Sequence, residues 1–118
     1  MDNYNRPLDT IFHALADPTR RAVVQHLVKG PASVKELAAP YDMALPSFMK
    51  HISVLEQAGL IASQKQGRVR TCTFNPDKLA AAEKWFDDQR AIWASRFDNL
   101  DNLLTSLQGE TDETGSAF

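Results

Sequence analysis

Apolar residues recur at helical spacing along most of this chain and alternate with polar ones in a single stretch. Leu8, Ile11, Phe12 and Leu15 fall on one face, which predicts a first helix over about residues 7–16. Asp17-Pro18 is a helix start, since Asp caps free N–H groups and Pro fits the first helical position. A second helix then runs to about Val28, burying Val23, Val24 and Leu27, until Lys29-Gly30-Pro31 stops it. Ser33-Val34-Lys35-Glu36 has the form of a capping box, and Pro40 keeps the third helix brief. Residues 41–44 make a turn. A fourth helix begins near Leu45-Pro46 and ends at Gly59, and its residues Leu45, Phe48, Ile52 and Leu55 cluster on the side expected to face the core.

The periodicity then changes to two. Residues 60–64 and 69–74 read as strands around Lys65-Gln66-Gly67-Arg68, with Gly67 supplying the freedom a hairpin turn needs. Asn75-Pro76-Asp77 opens a long final helix. Its Leu79, Phe86, Trp93, Leu100 and Leu107 are spaced by seven, and Ala82, Phe97, Leu103 and Leu104 fall between them. So long an apolar repeat exceeds what one small core consumes and predicts a partner helix. The fold class that results is mainly α with a small β-hairpin: a winged helix-turn-helix of five helices and a two-stranded wing. One domain is expected over residues 1–107, and its last helix, at about 76–107, has apolar surface left for a partner. The polar, acidic residues 108–118 are expected to be a disordered tail.

A short capped helix, a turn, a second helix and a basic hairpin are the parts of a DNA reader whose second helix enters the major groove. On the fourth helix Pro46, Lys50, Ser53 and Gln57 lie opposite the apolar side, with Ser47 beside them. Such helices read bases with their N-terminal residues, so Ser47 and Lys50 are the first candidates for groove contact and Ser53 the next. Met49 and His51 lie on the flanks, within reach of bases or backbone. In the hairpin Lys65, Arg68 and Arg70 are candidates for phosphate or minor-groove contact. A polar helix stripe is otherwise plain solvated surface, and wing cations otherwise guard a sheet edge. The order of the elements favours DNA. Arg20 and Arg21 occupy the first turn of the second helix, where cations oppose the helix dipole, so they need partners: an internal carboxylate or a phosphate.

The net charge of −2 argues weakly against nucleic acid, but its distribution reverses that. Residues 18–70 hold eight Lys/Arg against three Asp/Glu, whereas residues 71–118 hold four against nine. A basic reading segment and an acidic partner segment fit that division. Cys72 is the single cysteine, so no intrachain disulfide and no Cys-rich zinc site is possible; it reads as a small buried hydrophobe. His13, His26 and His51 lie at no metal-ligand spacing, and His13 and His26 read as structural or surface residues. No nucleophile–base pair, phosphate loop or carboxylate constellation supports catalysis, and no cofactor is expected. The polar stretch MDNYNRPLDT lacks the apolar core of a secretory leader, and no apolar run approaches membrane-spanning length, so a cytoplasmic protein with no membrane partner is expected.

With these residues placed, the chain resembles the ArsR/SmtB family of bacterial winged-helix repressors. The likeness rests on FHALADPTRRAVVQHL (12–27), SVKELA (33–38), LPSFMKHISVLEQAGLI (45–61) and KQGRVRTCTF (65–74), and it spans about Leu8 to Leu107. The resemblance implies homodimers joined through their first and last helices, which makes the helices at about 7–16 and 76–107 the dimerisation helices, and repression at inverted repeats in double-stranded DNA. On this chain that places Leu8, Ile11, Phe12, Leu79, Phe86, Trp93, Leu100 and Leu103 at a dimer interface. The family is known for metal sensing, and here the sequence departs from it. Residues 34–41 contain no cysteine and residues 75–107 no histidine, so no metal is predicted and the chain looks like a metal-independent branch. Two other readings stay open: a winged-helix module that binds protein instead of DNA, and a sensor of an unidentified ligand or metal through non-cysteine ligands.

Overall fold

In the computed structural model, which describes residues 6–108, the helix boundaries follow the capping chemistry. Helix α1 spans Arg6–Leu15 and α2 spans Pro18–Lys29. Asp17 accepts a hydrogen bond from the Arg20 backbone N–H at 3.0 Å, and Pro18 opens the helix. Strand β1 is the pair Ala32–Ser33, and α3, Val34–Ala38, starts from a complete capping box. The Glu36 N–H donates to Ser33 Oγ at 3.1 Å, and the Ser33 N–H donates to Glu36 Oε1 at 2.8 Å. Helix α4 covers Leu45–Gln57. Gly59 ends it at φ +76°, a left-handed conformation that a side chain would strain, and an added Cβ would also meet the Lys78 side chain at 2.9 Å.

Strands β2 (Ile61–Gln66) and β3 (Val69–Phe74) form the hairpin, with Lys65 opposite Arg70 and Ser63 opposite Cys72. The sheet has three strands in the order β1-β3-β2, not the two expected. Ala32 pairs with Cys72 and Ser33 with Thr71. A two-residue strand is too short to leave an alternation in sequence, and its pairing depends on residues far along the chain. After a single 3₁₀ turn at Pro76–Lys78, α5 runs from Leu79 to Gln108. Apart from Gln108, the expected disordered tail lies outside the described residues.

The described residues divide into two units after Ala82; the domain expected over residues 1–107 spans both. The first holds the core. Phe48, Ile52 and Leu55 of α4 are fully buried with Ile11, Val23, Leu60 and Cys72. Each large apolar side chain so buried contributes about 1.5–3 kcal/mol. Leu45 departs from expectation: it is 56% exposed, at the very first residue of α4. Leu8 and Ile11 also belong to this core, at 9% and 1% exposure, so they offer a partner chain little surface, while Phe12 is half-buried against the same cluster.

The second unit contains α5 from Glu83 onward. Phe86, Ile92, Trp93, Phe97, Leu100, Leu103, Leu104 and Leu107 are all exposed there. At 100° per residue they lie with Trp85 within an arc of about 140°. Gln89 and Arg96 fall inside the same arc. Charged pairs flank it: Lys84 Nζ donates to Asp88 at 3.1 Å, and Arg90 pairs with Asp87.

Candidate nucleic-acid interface

The burial of Phe48, Ile52 and Leu55 dictates what α4 shows outward. Pro46, Ser47 and Lys50 are exposed on its first two turns, and neither Ser47 nor Lys50 engages another side chain among the described residues. Ala44, at the N-cap, supplies no side-chain hydrogen bond, in contrast to Asp17 and Ser33 at the starts of α2 and α3. The first amides of α4 therefore stay open, and that end of a helix dipole favours negative charge. Ser53 is half-buried and accepts a 3.4 Å hydrogen bond from Gln57 Nε2. Met49 is half-buried, packed against the core and facing a cleft beside the wing.

His51 is held from within. Arg20 Nη1 lies 3.1 Å from His51 Nδ1, and Asp17 Oδ2 lies 3.8 Å from the same nitrogen. For Nδ1 to accept from the guanidinium, the ring proton sits on Nε2. The Arg20 backbone N–H is the main cause holding the Asp17 carboxyl below the usual carboxylate range; partial burial opposes it, and the weaker effect of the Arg20 charge acts with it. Arg20 also donates through Nε to the Ala14 carbonyl at 2.7 Å and through Nη2 to the His13 carbonyl at 3.1 Å. Arg21 donates to the Leu15 carbonyl at 2.8 Å. The two arginines thus cap the free carbonyls at the C-terminus of α1. That is neither the carboxylate pairing nor the phosphate contact weighed from sequence, although cations suit that end of a helix.

The wing cations divide. Lys65 and Arg68 are exposed, with no side-chain partner among the described residues. Arg70 is engaged: its Nη2 lies 3.3 Å from Glu56 Oε2, and its Nε donates to Ser63 Oγ at 3.0 Å. Ser63 in turn donates to Glu56. This triad ties the middle of the wing to the last turn of α4. Arg70 shares a sheet face with buried Cys72, and that face turns toward α4; strand parity showed the shared face but not the carboxylate waiting there. Burial pushes the Cys72 thiol up, with the Glu56 charge adding to the effect and Arg70 opposing it, so the thiol stays protonated near neutral pH.

Lys35 of α3 is a cation absent from the sequence-derived set. It borders the same cleft as Lys65 and Arg68, and its place there depends on how α3 packs beside the wing. Among the described residues no three His, Cys, Asp or Glu side chains gather where they could hold a metal ion, and no helix is long and apolar enough to cross a membrane.

Residues 15–64, from the end of α1 into β2, match a helix-turn-helix domain family. The chain is 34% identical over 114 residues to the HTH-type transcriptional regulator Rv2034 of Mycobacterium tuberculosis, covering 97% of this chain and 100% of that one. It is 32% identical over 98 residues to the arsenical resistance operon repressor of Escherichia coli, covering 82% and 81% of the two chains. The crystal structure of an ArsR family transcriptional regulator superposes with a TM-score of 0.76 at 56% identity, covering 80% of this chain and 98% of that one.

Proposed function

The chain belongs to the ArsR family of winged helix-turn-helix transcriptional regulators, and we propose that it binds double-stranded DNA as a homodimer and represses transcription from inverted-repeat operators. The observation that carries this reading is that α4 and the wing border one cleft while Ser47, Lys50, Lys65 and Arg68 are exposed, with no side-chain partner among the described residues. In this reading Ser47 and Lys50, with Pro46, meet base edges in the major groove, and Lys65 and Arg68 meet phosphates. Met49, His51 and Arg70 support those contacts from behind by setting the pitch of α4 and the wing, and half-buried Ser53 is a secondary contact.

Homodimerisation is supported by the second unit. Trp93 and Leu100 are 56% and 49% exposed within a mainly apolar stripe that Gln89 and Arg96 interrupt, and water is a poor environment for so much apolar surface. A partner chain would cover it, with Phe86 and Leu103 on the same stripe; Phe12 and Leu79, half-buried against the core of the first unit, would contribute what they leave exposed. A two-fold axis would set two α4 helices in successive major grooves, about 34 Å apart. Work on promoters implies a cytoplasmic location.

Retention of duplex fragments of the source genome, followed by footprinting of the retained sites, tests the proposal. Protection of inverted repeats by a dimer is expected. Complete absence of retention would leave a winged-helix module that binds protein.

A further inference from the structure

Leu45 and Val69 are large apolar side chains left 56% and 54% exposed in the first unit. Both line one cleft of about 850 Å³ between α3, the turn before α4, the start of α4 and the wing. Tyr41, Met43 and Met49 complete its apolar wall and pack on the core behind. The volume suits a small molecule, for which sites of roughly 300–1,000 Å³ are usual. Two unbranched, polarisable methionines let such a wall adapt to what it holds.

The rim has one sign of charge. Lys35, Lys65 and Arg68 border the cleft with no side-chain partner among the described residues, and no acidic residue lines it. Arg70 also borders it but is held by Glu56. A DNA strand satisfies that rim through its phosphates and leaves Leu45 and Val69 poorly covered. A molecule with an apolar body and one negative head satisfies both parts. We propose that this cleft binds an amphipathic carboxylate, its body against Tyr41, Leu45, Met49 and Val69 and its head among Lys35, Lys65 and Arg68. Arg68 can take the carboxylate through its two-pronged guanidinium.

Lys65 and Arg68 are also the wing cations assigned to phosphate. A bound carboxylate therefore displaces the DNA backbone from them, and the reading head carries its own release switch. This consequence rests on the DNA-binding reading; the binding step does not.

Calorimetric titration of the full chain with sodium dodecanoate, without DNA, tests the site. One dodecanoate per chain is expected, with much weaker binding of dodecanol and of hexanoate. Val69→Asp sets a negative charge in the cleft, and Lys65→Ala with Arg68→Ala removes the head-group partners. Each variant is expected to weaken binding by about tenfold or more. All three side chains are exposed, so unchanged melting serves as the folding control. No binding by the wild type, or equal binding by both variants, overturns the proposal; equal binding would place the ligand elsewhere, as on the α5 stripe. With a retained duplex, dodecanoate at the concentration that fills the site is expected to release it. A duplex that stays bound to dodecanoate-loaded protein overturns the switch. A chain that binds dodecanoate in the cleft but retains no duplex upholds the site and removes the DNA reading alone.

Discussion

Arg20 Nη1 and His51 Nδ1 lie 3.1 Å apart, joining the first turn of α2 to the middle of α4 across 31 residues of sequence. The same guanidinium closes the C-terminus of α1 through the Ala14 and His13 carbonyls. One side chain therefore sets three helices against each other, and the pitch of α4 depends on it. Arg20→Ala is expected to destabilise the fold by about 1.5–3 kcal/mol, the range for hydrogen bonds from a charged donor. Arg20→Lys should recover little of this, since a single ammonium cannot reach three acceptors in a fork. Denaturant unfolding of the two variants checks it; a fully stable Arg20→Lys would disprove the fork.

Asp17 sits beside this contact, and its lowered pKa links it to acid stability. A carboxyl whose folded value is depressed stabilises the fold fully above its unfolded value, about 3.9. That contribution is lost as pH falls through the lower folded value. Asp17→Asn still caps α2 but cannot titrate. Its stability is expected to fall less than that of the wild type between pH 6 and pH 3, measured by urea unfolding at each pH. Parallel curves for the two proteins would contradict the linkage.

Lys50 and Arg68 are assigned to DNA, and salt dependence tests the assignment. Lys50→Ala with Arg68→Ala should weaken duplex binding, reduce the slope of log K against log salt by about 1 for the lost Arg68 phosphate contact, and relax sequence preference at the base Lys50 meets. If both touch phosphate, the slope falls by about 2 and sequence preference is unchanged. Binding equal to wild type at several salt concentrations removes both residues from the interface.

Arg70 behaves differently because Glu56 holds it. A double-mutant cycle of Glu56→Gln and Arg70→Gln is expected to give a coupling of about 0.5–1 kcal/mol in stability, modest because the pair is partly exposed. Arg70→Gln should leave the salt slope near the wild-type value. A slope reduced as in Arg68→Ala would mean that Arg70 leaves Glu56 for phosphate.

The α5 stripe carries the dimer proposal. Sedimentation of the wild type at micromolar concentration should show a dimer, and Trp93→Asp with Leu100→Asp should show a folded monomer that loses duplex binding. A monomeric wild type would assign the stripe to another partner.

The caps and stops that bound the helices were legible because each is a local event. Asp17-Pro18, the Ser33–Glu36 box, Pro40, Gly59 and Gly67 act within a few residues of themselves. The seven-residue stripe was legible for the same reason, since spacing along one helix sets its face whatever surrounds it. Leu45 was misjudged because its helical angle matches that of Phe48 and Ile52, while its exposure depends on where neighbouring elements end. Strand β1 was missed because two residues carry no period, and Lys35 because nothing local links α3 to the wing.

The sequence by itself thus determined the order of the helices and of the hairpin, the winged helix-turn-helix architecture and the apolar length of α5, all of which follow from backbone propensity and periodicity. Tertiary structure decided which charges are available. Arg20, His51 and Arg70 look in sequence like Lys50 and Arg68, yet the first three are taken up by partners 6 to 34 residues away, and the last two have no side-chain partner among the described residues. An ion pair or hydrogen bond forms wherever two groups meet in space, and only the packed chain settles which groups meet.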